Sequence, residues 1–419
     1  MSEKIGRRSF LEALGEFGMA SAVLASFPWL QSCKTGKEQG ITSEKVHLGI
    51  IGTGSRGQYH MTNILNFVPE GQIVALCDIY DVNLTAAAEM VPGAKLYDDY
   101  HKLLEDKSVD AVIVTTPLHL HYRVTLDAFE AGKDVFCEKA MAHSIADCYD
   151  MYQKGVRSGQ IFFIGQQRLF DPKYLLAMEK VRSGEYGPVV NVRNYWLRNA
   201  DWRRPVPSPE LERQINWRLY REYSHGMMTE LACHQLQNGS WALNMYPEKV
   251  TGSGSIIYWK DGREVYDNVA VIYTFPNGVN MTFESVISNK HFGMGEQILC
   301  KEATIDLPAS RIYLETPPVK SGIEQMIADI EAGVFSNAVF AGTSWNAETA
   351  SADTGLAIMP EAQGDGSVEI MQAFCRSVIT RRQPEKILEE AYYASAFSLL
   401  GDEAMHRGEI LTLPQEYRL

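Results

Sequence analysis

The run Lys45-Val-His-Leu-Gly-Ile-Ile51, followed by Gly52-Thr53-Gly54-Ser55-Arg56-Gly57, decides how the first part of this chain is read. Its apolar, β-branched character indicates a buried parallel strand. The glycines then form a full G-x-G-x-x-G turn, and Gln58 to Phe67 reads as a helix. Glycines let backbone approach a pyrophosphate, and helix N-terminal N–H groups attract its charge. A second strand, Ile73-Val-Ala-Leu-Cys77, ends at Asp78, 21 residues beyond Gly57. An acid at that distance accepts hydrogen bonds from an adenosine ribose, and its charge repels the 2′-phosphate of NADP. NAD is therefore the expected cofactor. Gly52, Thr53, Gly54, Ser55, Gly57 and Asp78 are its candidate ligands. Arg56 either pairs with the pyrophosphate or is solvated.

Working outward, the alternation continues with a helix at 81–90, a short strand at 94–97, a helix at 99–106 and the strand Ala111-Val-Ile-Val-Thr115. Thr116-Pro117-Leu118-His119-Leu120-His121 follows, then a helix at 122–131 and the strand Asp134-Val-Phe-Cys137 leading into Glu138-Lys139-Ala140. This βαβα order predicts an α/β, doubly wound parallel sheet. Ligands bind beyond the carboxyl ends of such strands, where Thr116, Pro117, His121, Glu138 and Lys139 stand.

These motifs in this order resemble the Gfo/Idh/MocA family, from about Val46 to Pro414. The resemblance implies an NAD(P)-dependent sugar or inositol oxidoreductase with an N-terminal Rossmann domain, 46–166, and a C-terminal α+β substrate domain, 167–419. It places the amide of Gln167 near the nicotinamide. The family usually has proline after Glu-Lys, often behind a cis bond, whereas this chain has Ala140. A cis bond before a non-proline residue costs about 3–4 kcal/mol, so a trans turn with a displaced Lys139 is expected.

In the second domain the strands lengthen and alternate, at 189–196, 249–258, 268–275 and 279–286, with Asn277-Gly278 as a hairpin turn. A large, mostly antiparallel open sheet is expected. Gly226-Met-Met-Thr-Glu230-Leu-Ala-Cys-His234 opens a helix, and i, i+4 spacing puts Glu230 and His234 on one face. The family has Asp-x-x-x-His here and a further aspartate where this chain has Gln237, and its glycine run has become Ser224-His225. The resemblance makes His234 the base, near its ordinary pKa of ~6.5, with Lys139 holding the reacting oxygen and Glu230 orienting His234. Arg168, Trp196 and Arg218 are candidate sugar contacts, with Trp202, Trp217, Arg198, Arg203 and Arg204 nearby. His47 reads as a satisfied core histidine, and Cys77, Cys137, Cys148, Cys233, Cys300 and Cys375 as small buried hydrophobes. Residues 341–366 have little periodicity, and helices are expected at 367–381 and 391–407.

The 419 residues make two domains the prior. With 39 Lys+Arg against 52 Asp+Glu, the net charge of −13 argues against a nucleic-acid partner. No Cys-x-x-Cys pair is present, so no metal is expected. Residues 1–33 are unlike the rest. Arg7-Arg8-Ser9-Phe10-Leu11 precedes an uncharged run from Phe17 to Leu30 and then Gln31-Ser32-Cys33. This resembles a twin-arginine signal ending in a lipobox, making Cys33 a candidate lipid anchor. Residues 34–45 read as a linker. The expectation is a bacterial protein exported to the periplasm or held on the membrane, and a homo-oligomer by family analogy.

Export joined to NAD implies a cofactor that stays bound and is recycled. One outcome is oxidation of a sugar or glycoside, at C3. The other is transient oxidation, elimination and re-reduction, as in the NAD-dependent α-N-acetylgalactosaminidases, whose Tyr-Pro-Thr-His signature is missing here. A non-catalytic sugar-binding lipoprotein is a third reading, against which the intact motifs stand.

Overall fold

The computed structural model describes residues 45–315, 354–359 and 364–419, and the backbone of 33–35. The leader residues 1–32 and most of 341–366 lie outside the described residues. Strand β1 (Val46–Ile51), helix α1 (Ser55–Phe67), β2 (Gly71–Cys77), α2 (Asp81–Met90), β3 (Lys95–Tyr97) and α3 (Tyr100–Glu105) open the fold. Strand β4 (Ala111–Val114), α4 (His121–Glu130), β5 (Asp134–Cys137), α5 (Ile145–Ser158) and β6 (Phe162–Ile164) complete its first part. The six strands pair in parallel in the order β3-β2-β1-β4-β5-β6. The order reverses between β1 and β4, the switch point at which doubly wound sheets bind ligands. β4 and β5 are buried along their whole length, as strands covered by helices on both faces must be.

After α6 (Pro172–Arg182), capped by Asp171 accepting from the Lys173 N–H, the chain enters β7 (Val189–Trp196). A π-helical turn, Met228–Ala232, runs directly into α7 (Cys233–Leu243). Then come β8 (Lys249–Ser255), β9 (Asn268–Thr274), β10 (Asn280–Val286), β11 (Met294–Cys300), β12 (Ala303–Asp306), β13 (Arg311–Leu314) and β14 (Leu356–Ala357). The eight strands run β14-β13-β12-β11-β7-β10-β9-β8, and only the β7–β10 pairing is parallel. β9 alternates exposed and buried residues, so one face of the sheet is packed and the other open. Periodicity located β7 to β10 but missed β11 to β13, of which β12 and β13 are only four residues each.

Helices α8 (Ser367–Thr380) and α9 (Ile387–Arg407) return to the first domain. The Phe374 ring sits 5.8 Å from Phe136 and 5.5 Å from Phe163, while Met141 N–H donates to Ser395 Oγ at 2.8 Å. A continuous apolar core therefore runs from the parallel sheet into the C-terminal helices. The chain end ties the two domains together rather than merely closing the second. All six cysteines from Cys77 onward are free and buried. His47 departs from its expected core role: its Nδ1 lies 3.0 Å from Asp110 with the side chain 39% exposed.

Candidate active site

β1 stops at Gly52, whose φ of +95° is left-handed backbone. A Cβ there would lie 2.8 Å from the Thr115 carbonyl carbon, so no side chain fits. Gly57 is equally constrained, since its Cβ would meet the Gly52 carbonyl oxygen at 2.2 Å. Gly54 differs: its Cβ position has only Asn83 Nδ2 near it, at 3.6 Å. It precedes α1 with no side chain capping that helix. The first turn of α1 therefore offers an open cradle with unclaimed N–H groups, which suits a pyrophosphate. Asp78 ends β2 and accepts from the N–H groups of Thr53 at 2.8 Å and Tyr80 at 2.9 Å, holding its carboxylate beside the turn. These residues fit a dinucleotide.

Arg56 takes neither role expected of it. Its Nε donates to Glu138 Oε1 at 2.7 Å, and its guanidinium lies 4.9 Å from the Tyr59 ring centroid. Glu138 also receives His60 Nε2 at 2.7 Å and the Lys139 N–H at 3.1 Å. Burial pushes the Glu138 carboxyl up, but Arg56 and His60 outweigh it and hold the group well below the usual range. Glu138 is thus a buried anionic hub, and Gly165 packs so close that a Cβ there would be 2.9 Å from its Oε2. Its carboxylate braces the site from inside.

His121 likewise turns inward. Its Nδ1 is 2.8 Å from the Ala140 carbonyl and its Nε2 3.0 Å from the Thr116 carbonyl. Burial holds the ring below the ordinary histidine range, so the neutral ring donates to one carbonyl at a time. It fastens the Thr116-Pro117 loop to the Lys139-Ala140 turn. Among the described residues Thr116 Oγ1 is buried without a partner, a hydroxyl suited to a cofactor contact. Gln167 begins a 3₁₀ turn, and its Oε1 is likewise buried and unpartnered among the described residues. The expected trans turn is not found: the Lys139–Ala140 peptide is cis. Hydrogen bonds to His121 and from Met141 to Ser395 fix the backbone around it.

Lys139 reaches out of its own domain. Its Nζ donates to the Glu230 carbonyl at 2.7 Å and the Thr229 carbonyl at 3.3 Å, both in the π turn. An ammonium has three donors, so one N–H is left for a ligand. The i, i+4 partnership of Glu230 and His234 does not form. Glu230 instead accepts from Arg218 Nε at 2.8 Å, because the π turn alters the α-helical spacing on which that expectation rested. Burial pushes the Glu230 carboxyl up, yet Arg218 and Lys139 more than reverse it. Arg218 also lies 4.2 Å from the Trp217 ring centroid. His234 is buried, with Nδ1 unpartnered among the described residues, and sits 6.4 Å ring to ring from Trp196. Burial, then Lys139 and Arg168, push its pKa well below the ordinary value, not near it as the sequence suggested.

Arg168 is not free for a ligand either. It is buried in an ion pair with Glu296, which also accepts from Tyr174 Oη at 2.7 Å and Asn238 Nδ2 at 2.8 Å. The guanidinium lies 5.6 Å from the Trp196 ring centroid, so it packs against that ring. Sequence reading missed Glu296, Tyr174 and Asn238, which come from β11, α6 and α7. A charged residue at a buried strand position was the available signal. Among the described residues no group of three or more His, Cys, Asp or Glu side chains is placed to hold a metal.

With this geometry in place, comparisons with known proteins define the class. Residues 46–166 match the model of the oxidoreductase family with an NAD-binding Rossmann fold, and 174–306 match the GFO/IDH/MocA C-terminal domain. Together these cover more than half of the chain, which therefore belongs to the GFO/IDH/MocA family of NAD-dependent oxidoreductases. Inositol 2-dehydrogenase of Rubrobacter xylanophilus is 26% identical over 64% of this chain and 72% of that protein. The WlbA dehydrogenase of Bordetella pertussis, in complex with NADH and UDP-GlcNAcA, superposes with a TM-score of 0.69 at 19% identity, covering 89% of this chain and 99% of that one. The aldose-aldose oxidoreductase of Caulobacter crescentus gives 0.63 at 20% identity, covering 88% and 100%.

Proposed function

We propose that this enzyme oxidises a secondary hydroxyl of a sugar or glycoside, at C3, with NAD that stays bound and is recycled within the catalytic cycle. The observation that carries the reading is that Lys139 is anchored on the Thr229 and Glu230 carbonyls, in the turn that leads into buried His234, whose ring lies 6.4 Å from that of Trp196. When bound, NAD supplies the hydride acceptor. Lys139 uses its remaining N–H to hold the reacting oxygen, and its charge favours the developing alkoxide. His234, kept neutral by its surroundings, has a lone pair for the hydroxyl proton. Trp196 presents a flat apolar face on which a pyranose ring can lie. The loss of one proton to His234 and one hydride to the cofactor accounts for the two-electron oxidation. Sugar-like substrates are those named for relatives of this chain, an inositol and a UDP-sugar among them.

The recycled cofactor follows from the leader. A chain carrying Arg7-Arg8 and Cys33 in that setting is proposed to work outside the cytoplasm, anchored by lipid at Cys33, where free NAD is not expected. The C-terminal domain's open sheet face is proposed to serve homo-oligomer formation. The test is twofold. Mass spectrometry of the denatured protein should release NAD(H), and incubation with a glycoside panel should yield a keto-sugar. Release of reducing sugar without net NADH would instead establish the elimination–hydrolysis route. Absence of both NAD(H) and turnover would overturn the enzymatic reading.

A further inference from the structure

The second domain also approaches the glycine turn directly. Arg204 lies in the segment between β7 and the π turn, and its Nη2 donates to Ser55 Oγ at 3.1 Å. Ser55 is the first residue of α1 and follows Gly54, the glycine whose Cβ position is open. Both Arg204 and Ser55 are exposed, so a ligand can reach them.

Its neighbour Arg203 is spent on structure, pairing with Glu212 and, at 3.1 Å, with Asp261. Arg204 has no carboxylate partner among the described residues. Partial burial, then the nearby Arg218, push its pKa down, with no carboxylate among the described residues opposing them. Nor is its backbone loose. Buried Asn216 accepts from the Arg204 N–H at 2.6 Å and donates to the Arg204 carbonyl at 2.9 Å. Asn216 immediately precedes Trp217 and Arg218, so the segment carrying Arg204 is fastened to the catalytic side of the fold.

We propose that Arg204 completes the cofactor site from the second domain, its guanidinium pairing with the pyrophosphate of NAD over the first turn of α1. A guanidinium matches phosphate oxygens in a two-pronged geometry and remains charged at any working pH. The helix supplies N–H donors from one side and Arg204 supplies charge from the other. This rests on NAD at the glycine turn and extends the proposed cofactor retention, because release then requires the Arg204 segment to lift.

Titration calorimetry on cofactor-stripped full-length protein, using NAD, ADP and adenosine as probes, tests it. R204A should weaken NAD and ADP by about 10–100-fold, the range for losing a charged hydrogen bond, and leave adenosine unchanged. R204K should recover part of the loss, and R204Q, which keeps the bulk, should not. The salt dependence of ADP binding should flatten in R204A. Unchanged ADP affinity in both R204A and R204Q overturns the proposal, as does an equal loss for adenosine. Wild-type protein that purifies without NAD yet shows the Arg204 effect on ADP would refute retention while upholding this contact.

Discussion

The glycine turn at Gly52–Gly57 and the π turn at Met228–Ala232 both serve the site, but different kinds of contact hold them. The glycine turn is secured by its own sheet: Gly52 N–H donates to the Cys77 carbonyl at 2.8 Å, and Thr53 N–H to Asp78. The π turn is secured from a distance, by a lysine 90 and 91 residues earlier in sequence from the carbonyls it binds. Charge is handled differently too. In the first domain Glu138 absorbs Arg56 and His60, leaving the cradle to backbone donors. In the second, Arg218 neutralises Glu230 and leaves His234 facing the positive field of Lys139. The lesson is that the proposed cofactor cradle is built mainly from backbone geometry, whereas the groups proposed to handle the proton are side chains brought from separate elements.

The largest effect expected from breaking this comparison is at its bridge. Lys139→Ala should lower kcat by about 10²–10⁴-fold, read as NADH absorbance in single-turnover mixing with an accepted sugar. His234→Ala should fall in the same range. If either variant turns over like wild type, the catalytic assignment is wrong. Because His234 is held well below its ordinary pKa, it stays neutral through the usual histidine range. The acid limb of kcat/KM should therefore lie below pH ~6.5, and a half-point at or above that value would remove the field argument.

Next in size is the glycine turn. Gly57→Ala places a methyl 2.2 Å from the Gly52 oxygen, so the backbone must shift. The expected cost is about 1–3 kcal/mol of stability, together with weakened NAD binding, measured by urea denaturation and calorimetry. Gly54→Ala, with open space at its Cβ, should fold normally and lose affinity only for phosphate-bearing ligands. Equal destabilisation by the two substitutions would count against the cradle as described.

The smallest effect concerns the Arg218–Glu230 pair. Arg218→Ala should destabilise by about 1 kcal/mol at pH 7, near the lower end for a broken charged hydrogen bond because Arg218 is a third exposed. The sign with pH is definite. Glu230 has a depressed folded-state pKa, so its contribution is present above the unfolded value of ~4.3 and is lost as pH falls through the folded one. The gap between wild type and variant should hold from pH 7 down to about 4.3 and shrink on further acidification, as followed by thermal melts continued to about pH 2. A gap that widens instead would mean that Glu230 is not paired in solution.

How far each part of the site was legible follows from the same contrast. Gly52, Gly57 and Asp78 were readable because steric exclusion of a Cβ and the end of a strand are local demands, imposed by residues a few positions away or by one adjacent strand. The parallel order of β1 to β6 followed from alternating apolar runs for the same reason. Glu230 was misassigned because i, i+4 spacing assumes an α-helix, and nothing within the segment announces a π turn. Arg168 and Arg56 look like free cations in sequence. Their partners, Glu296 and Glu138, stand more than 80 residues away.

By itself, then, the sequence determined the dinucleotide half of this protein, the preference for NAD and the segments from which Lys139 and His234 come. Only the tertiary structure decided which charges are spent and which remain available. It turned Glu138 and His121 inward, moved Glu230 onto Arg218 and brought Arg204 over the first turn of α1. The physical reason is range. Backbone conformation answers to neighbours along the chain, while the state of a charge depends on its burial and on whichever opposite charges the fold brings within a few ångströms.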